Sequence, residues 1–173
     1  MNRSYIQQGL RFIIILLVQV LILKRINVGS GDFNYFHLFL FPICLLLLPY
    51  NIPKIGAIFI GFFSGLILDM FYDTPGIHAA CSVLLTFIRP LIHLWLEPRG
   101  GYTMNASPTI RSMGNRWFLT YTAIGMGIYI LFFFSLQAFS FVFILSIFLK
   151  SLFSFILSFI LILIYMYVLQ PEN

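Results

Sequence analysis

Gly61-Phe-Phe-Ser-Gly65-Leu-Ile-Leu-Asp69-Met-Phe-Tyr-Asp73-Thr-Pro-Gly76-Ile-His78-Ala79 begins inside an apolar run, closes in a tight polar turn and enters a second apolar run. Gly61, Gly65, Asp69 and Asp73 recur every four residues, so on a helix they form one slowly drifting stripe. The glycines let a second helix approach closely, and the acids place charge at the end of the stripe.

Outside this stretch the chain is overwhelmingly apolar. Of its 173 residues, 61% are hydrophobic and 9% charged, and the mean hydropathy is +1.00. A soluble domain carries about 25% charged residues, so this sequence cannot cover a water-facing surface and is expected to be an integral membrane protein. The length allows one domain, 1–173, with six spans of roughly 20 residues each. Cys44 and Cys81 lie in apolar runs without metal-ligand spacing and are expected to be buried thiols. Arg3 and Arg11 precede the first apolar run as in a signal peptide, but no small-residue cleavage site follows, and a retained span is expected.

The predicted fold is an all-α bundle with spans at about 6–23, 35–48, 55–71, 78–96, 117–136 and 150–169, and a polar loop at 97–116. The second span is short and contains Pro42, so a kink, a tilt or support from neighbours is expected. The last apolar run, 139–169, is too long for one simple crossing. Lys150 is read as dividing it, leaving 139–149 as an interfacial or re-entrant piece; the other reading is one long tilted helix with Lys150 snorkelling. With the N-terminus inside, Arg3, Arg11, Lys54, Arg99, Arg111 and Arg116 fall on the cytoplasmic side, against Lys24, Arg25 and Lys150 outside. The positive-inside rule therefore places both termini in the cytoplasm.

Four constellations bear on chemistry. Gly65-x-x-x-Asp69-x-x-x-Asp73 matches the tail of the CDP-alcohol phosphatidyltransferase motif, which needs four carboxylates to hold two cations. The upstream acids are absent, Ile55-Gly56 standing where Ala-Arg belongs, so half of that metal site is missing. Asp69 lies deep enough to need a partner, and His78, Ser82, Arg89 or the turn itself are candidates. A structural role is preferred over a proton relay. His78, Ser82, Thr86, Arg89 and His93 share one helical face, which suits intrachain hydrogen bonds, a cavity or a partner helix. His93 and Glu97 have metal-compatible spacing, but two ligands are too few. The basic loop at 97–116 lacks a phosphate cradle and a nucleophile elbow and suits lipid headgroups, a cytoplasmic partner or topology signalling. Nothing points to nucleic acid. No catalytic residue, metal or cofactor is assigned, and the interaction candidates are Gly61, Gly65, Asp69, Gly76, His78 and Arg89.

The chain resembles the rod shape-determining MreD family. The resemblance is carried by Leu-Gln19-Val with Lys24-Arg-Ile-Asn27, by Leu48-Pro49-Tyr-Asn-Ile-Pro53, and by the opening stretch with Gly76-Ile-His78-Ala79-Ala80 and Phe87-Ile-Arg89-Pro90. Gln137-Ala-Phe-Ser-Phe141 resembles the segment before the family's last helix, with Gln137 where the family usually carries Glu. The resemblance implies a multi-pass protein of the bacterial inner membrane without catalytic activity. It would act in the rod complex with MreC, MreB, RodA and its penicillin-binding transpeptidase, in contact with membrane lipids; self-association is left open. The family is similar in fold to S components of energy-coupling-factor transporters, so a small-molecule-binding transporter subunit is the alternative. The absence of Ala from residues 12–23 weakens that alternative, because S components dock through Ala-x-x-x-Ala in the first helix.

Overall fold

The computed structural model describes residues 2–26, 37–98, 101–102, 107–138 and 144–169. Among these, all regular structure is helical: α1 (Asn2–Val18), a π-helical turn (Gln19–Leu23), α2 (Lys24–Ile26), α3 (Pro42–Leu46), α4 (Lys54–Tyr72), α5 (Ile77–Trp95), α6 (Ile110–Met113), α7 (Asn115–Ala138) and α8 (Ile144–Leu169). The helix over 54–72, those over 77–95 and 115–138, and α8 over 147–168 are each long and apolar enough to cross a membrane. Their outward faces carry exposed Phe59, Phe63, Met70, Phe153 and Ile164. In water such surfaces would drive aggregation, whereas in a bilayer lipid tails cover them. The molecule is a multi-pass membrane protein.

The hairpin of α4 and α5 is the centre. A Cβ built on Gly65 would lie 2.5 Å from Ala79 Cα, and one on Gly61 would lie 2.9 Å from the Ser82 carbonyl oxygen. The small-residue stripe thus sets two helix backbones nearly in contact, where dispersion rather than the hydrophobic effect holds helices together. Leu85, Tyr121, Met126 and Tyr129 continue the core into the seam between α5 and α7.

Among the described residues of the predicted second span, the helix is confined to Pro42–Leu46. Residues 37–40 have no regular structure and run into α3, and residues 47–53 turn into α4. This segment is nevertheless buried, with Phe39, Leu40, Phe41, Ile43, Leu45 and Leu46 in the core. Its backbone cannot be left unpaired there. Side chains of distant helices supply the partners. Ser154 Oγ accepts from His37 N at 2.9 Å and Ser158 Oγ from Phe39 N at 2.8 Å. Gln19 Oε1 accepts from Leu40 N at 2.7 Å and Phe41 N at 3.1 Å, while its Nε2 donates to the Leu38 carbonyl and to Tyr72 Oη, both at 2.9 Å. All four hydrogen-bonding positions of the Gln19 amide are filled. The π turn beginning at Gln19 is the local irregularity that accompanies this insertion; its carbonyl accepts from Lys24 N and from Tyr72 Oη.

The expected break at Lys150 does not occur. α8 is one helix from Ile144 to Leu169, the half-buried Lys150 sits within it, and its long stem can carry the ammonium along the apolar surface. The buried stripe Ser151, Ser154 and Ser158 faces the core over the same length. The predicted turn at 27–32, residues 139–143 of the predicted interfacial piece, and Arg99 lie outside the described residues.

Replacing Gln19 by Leu should strip the partner from the backbone N–H groups of Leu40 and Phe41, at about 1–3 kcal/mol for each buried group left unpaired, while Tyr72 Oη keeps its bond to the backbone carbonyl of residue 19. Thermal unfolding in detergent should show a clearly lowered midpoint. Gln19→Glu keeps the acceptor for Leu40 and Phe41 and should fall between that variant and wild type. A wild-type midpoint for Gln19→Leu would mean that this amide does not hold the segment.

Candidate functional site

Two polar clusters lie at opposite ends of the α4–α5 hairpin. The first is built on Asp69, which is 4% exposed. α5 starts after Gly76, whose φ of +81° suits glycine and which has no side chain to cap the helix. Asp69 does the capping from the end of α4. Its Oδ1 accepts from His78 N at 2.9 Å and its Oδ2 from Ala79 N at 2.9 Å. Thr74 Oγ1 donates to Oδ1 at 2.5 Å and His78 Nδ1 approaches it at 3.1 Å. A carboxylate receiving first-turn amides at the positive end of a helix is favoured electrostatically as well as by its hydrogen bonds. Of the candidate partners, His78 and the turn bond Asp69, and Ser82 and Arg89 do not.

His78 is 1% exposed and lies against the rings of Phe39, Tyr72 and Phe133. A proton on Nδ1 donated to Asp69 fixes the ring's orientation. Among the described residues, no hydrogen-bond partner lies within reach of Nε2 or of the Thr122 hydroxyl, both of which are buried. Asp73 is exposed in the turn, its αL backbone (φ +55°) ending α4. It lies 3.7 Å from Lys24, whose Nζ also donates to the Phe71 carbonyl. A solvent-exposed pair of this kind contributes little to stability.

The second cluster surrounds Arg89, which is 5% exposed. Its Nη2 donates to the Leu48 carbonyl and its Nε to Tyr121 Oη at 3.2 Å. Tyr121 Oη donates to the Leu46 carbonyl at 2.9 Å and lies 3.0 Å from His93 Nε2. Because the single tyrosine proton is used on Leu46, the His93 contact requires a proton on Nε2. Arg89 therefore holds the C-terminal end of α3, and among the described residues it forms no ion pair with an acid. Pro90 follows it inside α5, and Thr86 Oγ1 turns back to the Ser82 carbonyl at 2.8 Å. Tyr102 Oη donates to the His93 carbonyl at 2.7 Å and Trp117 Nε1 to that of Leu96 at 2.6 Å, which closes the end of α5. Tyr50 stacks on Tyr102 with centroids 4.6 Å apart. Burial pushes the Tyr102 phenol above its usual range.

His78, Ser82, Thr86 and Arg89 are all buried on the predicted face of α5, while Glu97 is exposed and takes no part in the His93 contact. Among the described residues, no three His, Cys, Asp or Glu side chains gather to hold a metal ion. Cys44 and Cys81 are buried and free. The residues that the sequence did not single out as a site are Gln19, Tyr72, Tyr121, Ser154 and Ser158. Their signals were a lone amide in an apolar run and serines spaced four apart in another.

No family model matches the chain, and no curated protein or solved structure matches it either.

Gly65→Ala drives a methyl into backbone atoms of Ala79, which cannot swing aside, and overpacking of this kind costs about 1–3 kcal/mol; detergent melting should register the loss. For Asp69→Ala, hydrogen exchange should show lost protection at the His78 and Ala79 amides, since among the described residues no other side chain caps them. Unchanged protection there would refute the cross-hairpin cap.

Proposed function

We propose that the chain is a non-catalytic membrane scaffold of the rod complex, serving cell-shape determination and lateral peptidoglycan synthesis. The observation that carries this reading is the use made of Asp69 and Arg89. Each buried charge is engaged by backbone groups of a neighbouring element, an arrangement suited to a rigid body that presents surfaces. The likeness to the MreD family supplies the partners: MreC most directly, then MreB, RodA and the transpeptidase.

The proposal includes six crossings, the four long helices being joined by the helical run from Asn2 to Ile26 and by the broken segment at 37–53, in a bundle like that of an S component. Arg11, Lys54, Arg111 and Arg116 belong to the end that holds the 47–53 turn and α6, and Lys24, Arg25 and Lys150 to the other. The larger basic set marks the cytoplasmic end, so the turn at Asp73 would face outward. That turn and the outer face of α4 would meet the membrane anchor of MreC, and the basic loop would meet MreB or lipid.

Co-purification from bacterial inner membranes in mild detergent tests the proposal. The chain should retain MreC, and Gly65→Leu should reduce that retention at least severalfold by forcing the hairpin apart. No association with MreC, combined with tight binding of a vitamin-like ligand, would instead make the chain a transporter S component. Metal-dependent turnover lost in Asp69→Ala would make it an enzyme.

A further inference from the structure

Gln19 and Lys24 are five residues apart, yet both reach the end of α4. On an α-helix that spacing sets two side chains about 140° apart. The π turn over Gln19–Leu23 closes the difference. The Gln19 carbonyl accepts from Lys24 N rather than from the amide one residue earlier, so the turn holds one residue more than an α-helical turn. Lys24 thereby meets α4 on the face that Gln19 already occupies. Its Nζ donates to the Phe71 carbonyl, stands 5.8 Å from the centre of the Tyr72 ring and lies 3.7 Å from Asp73. A cation is favoured there, because the last carbonyls of α4 form the negative end of that helix.

Tyr72 joins the two helices at this turn. Its hydroxyl donates to the Gln19 carbonyl at 3.0 Å and accepts from Gln19 Nε2 at 2.9 Å. The Gln19 carbonyl thus has two donors, Lys24 N and Tyr72 Oη, one for each lone pair. In a regular α-helix that carbonyl would point along the axis at the amide four residues on. A side chain that enters the ladder draws the carbonyl outward and opens the turn. From this geometry we infer that Tyr72 is a positioning residue that locks the first helical run in its π register, and that this register brings Lys24 onto the end of α4. Without the hydroxyl the turn closes to α-helix. The chain beyond it then rotates by about 100° and shifts by about 1.5 Å along the axis. Leu23 comes to stand under the Phe71 carbonyl. The ammonium, carried on a radius of about 5–6 Å, moves away by about 8 Å. The inference is independent of the rod-complex reading, since it requires only the fold.

The Lys24–Asp73 pair reports the register. Its side chains are 42% and 89% exposed, so a water-soluble carbodiimide reaches them, and that reagent joins an amine to a carboxyl only when the two are in contact. The full chain in nanodiscs is treated and digested, and the peptide linked through Lys24 and Asp73 is quantified by mass spectrometry. Wild type should yield it. Tyr72→Phe keeps the ring and removes the hydroxyl, and should lower the yield at least severalfold. Deletion of Ile22 removes the extra residue at an exposed position, and an α-helical turn then carries Lys24 to the same place. Combined with Tyr72→Phe, this deletion should restore the yield, which it would not do if Tyr72→Phe merely loosened the end of α4.

A wild-type yield in Tyr72→Phe would overturn the lock, as would failure of the Ile22 deletion to restore a lowered one. Absence of the linked peptide from wild type would also overturn it, because Lys24 would then not lie at the end of α4. If Tyr72→Phe fails to fold, deletion of Ile22 with Tyr72 in place decides. An undiminished yield supports the inference, and a severalfold loss means that the extra residue is not what positions Lys24.

Discussion

Hydrogen-bonding the backbone of residues 37–53 is the constraint on which the rest of the molecule depends. The segment lies in the core yet is helical for only five residues. In an apolar medium each unpaired N–H or C=O costs several kcal/mol, so the segment can be buried only if other elements bring polar atoms to it. Gln19, Ser154 and Ser158 serve its first half, and Tyr121 and Arg89 serve its end. The π turn in the first helix, the serine stripe of α8 and the arginine inside α5 therefore have one physical cause. Each would be a defect in an isolated membrane helix, and together they satisfy one irregular strand of backbone.

The α4–α5 hairpin supplies the rigidity that such an arrangement needs. Gly61 and Gly65 bring the helices into backbone contact, and that proximity lets Asp69 reach the first amides of α5. Gly76 turns the chain in a conformation that favours glycine and consequently provides no cap of its own. The cap must come from another element, and the stripe delivers it. Small residues and acid are thus two parts of one device: the first sets the distance that the second bridges.

How far this could be read in the sequence follows from how local each interaction is. The hairpin was legible because Gly61, Gly65, Asp69, Gly76 and His78 fall within 18 consecutive residues and their spacing states their geometry. The shared face of His78, Ser82, Thr86 and Arg89 was legible for the same reason, but not its partners. Arg89 was a candidate partner for Asp69, and it is held instead by the carbonyl of Leu48 and, through Tyr121, that of Leu46, contributed from 41 or more residues away. The second segment was misread as a short helical span because an apolar run containing Pro42 carries no sign that Gln19 and two serines over a hundred residues downstream will bind its amides. Lys150 was misread as a break because its charge is visible in the sequence, whereas the serine stripe that keeps α8 against the core gains meaning only from the segment it serves.

The two charges buried within the hairpin illustrate why an ion pair is not required to place charge inside a membrane protein. Asp69 and Arg89 carry opposite signs on the same hairpin, yet each is matched by peptide groups. The carboxylate meets the amides at the positive end of α5, and the guanidinium meets the Leu48 carbonyl just past the C-terminal end of α3 and the hydroxyl of Tyr121, which itself donates to the Leu46 carbonyl. Peptide dipoles at helix ends are fixed by the fold and require no long side chain to be immobilised. An ion pair between the two residues would have satisfied their charges and left those helix ends bare. Using each charge on a helix end resolves both desolvation problems together, and it makes the position of α3 and the start of α5 depend on two side chains.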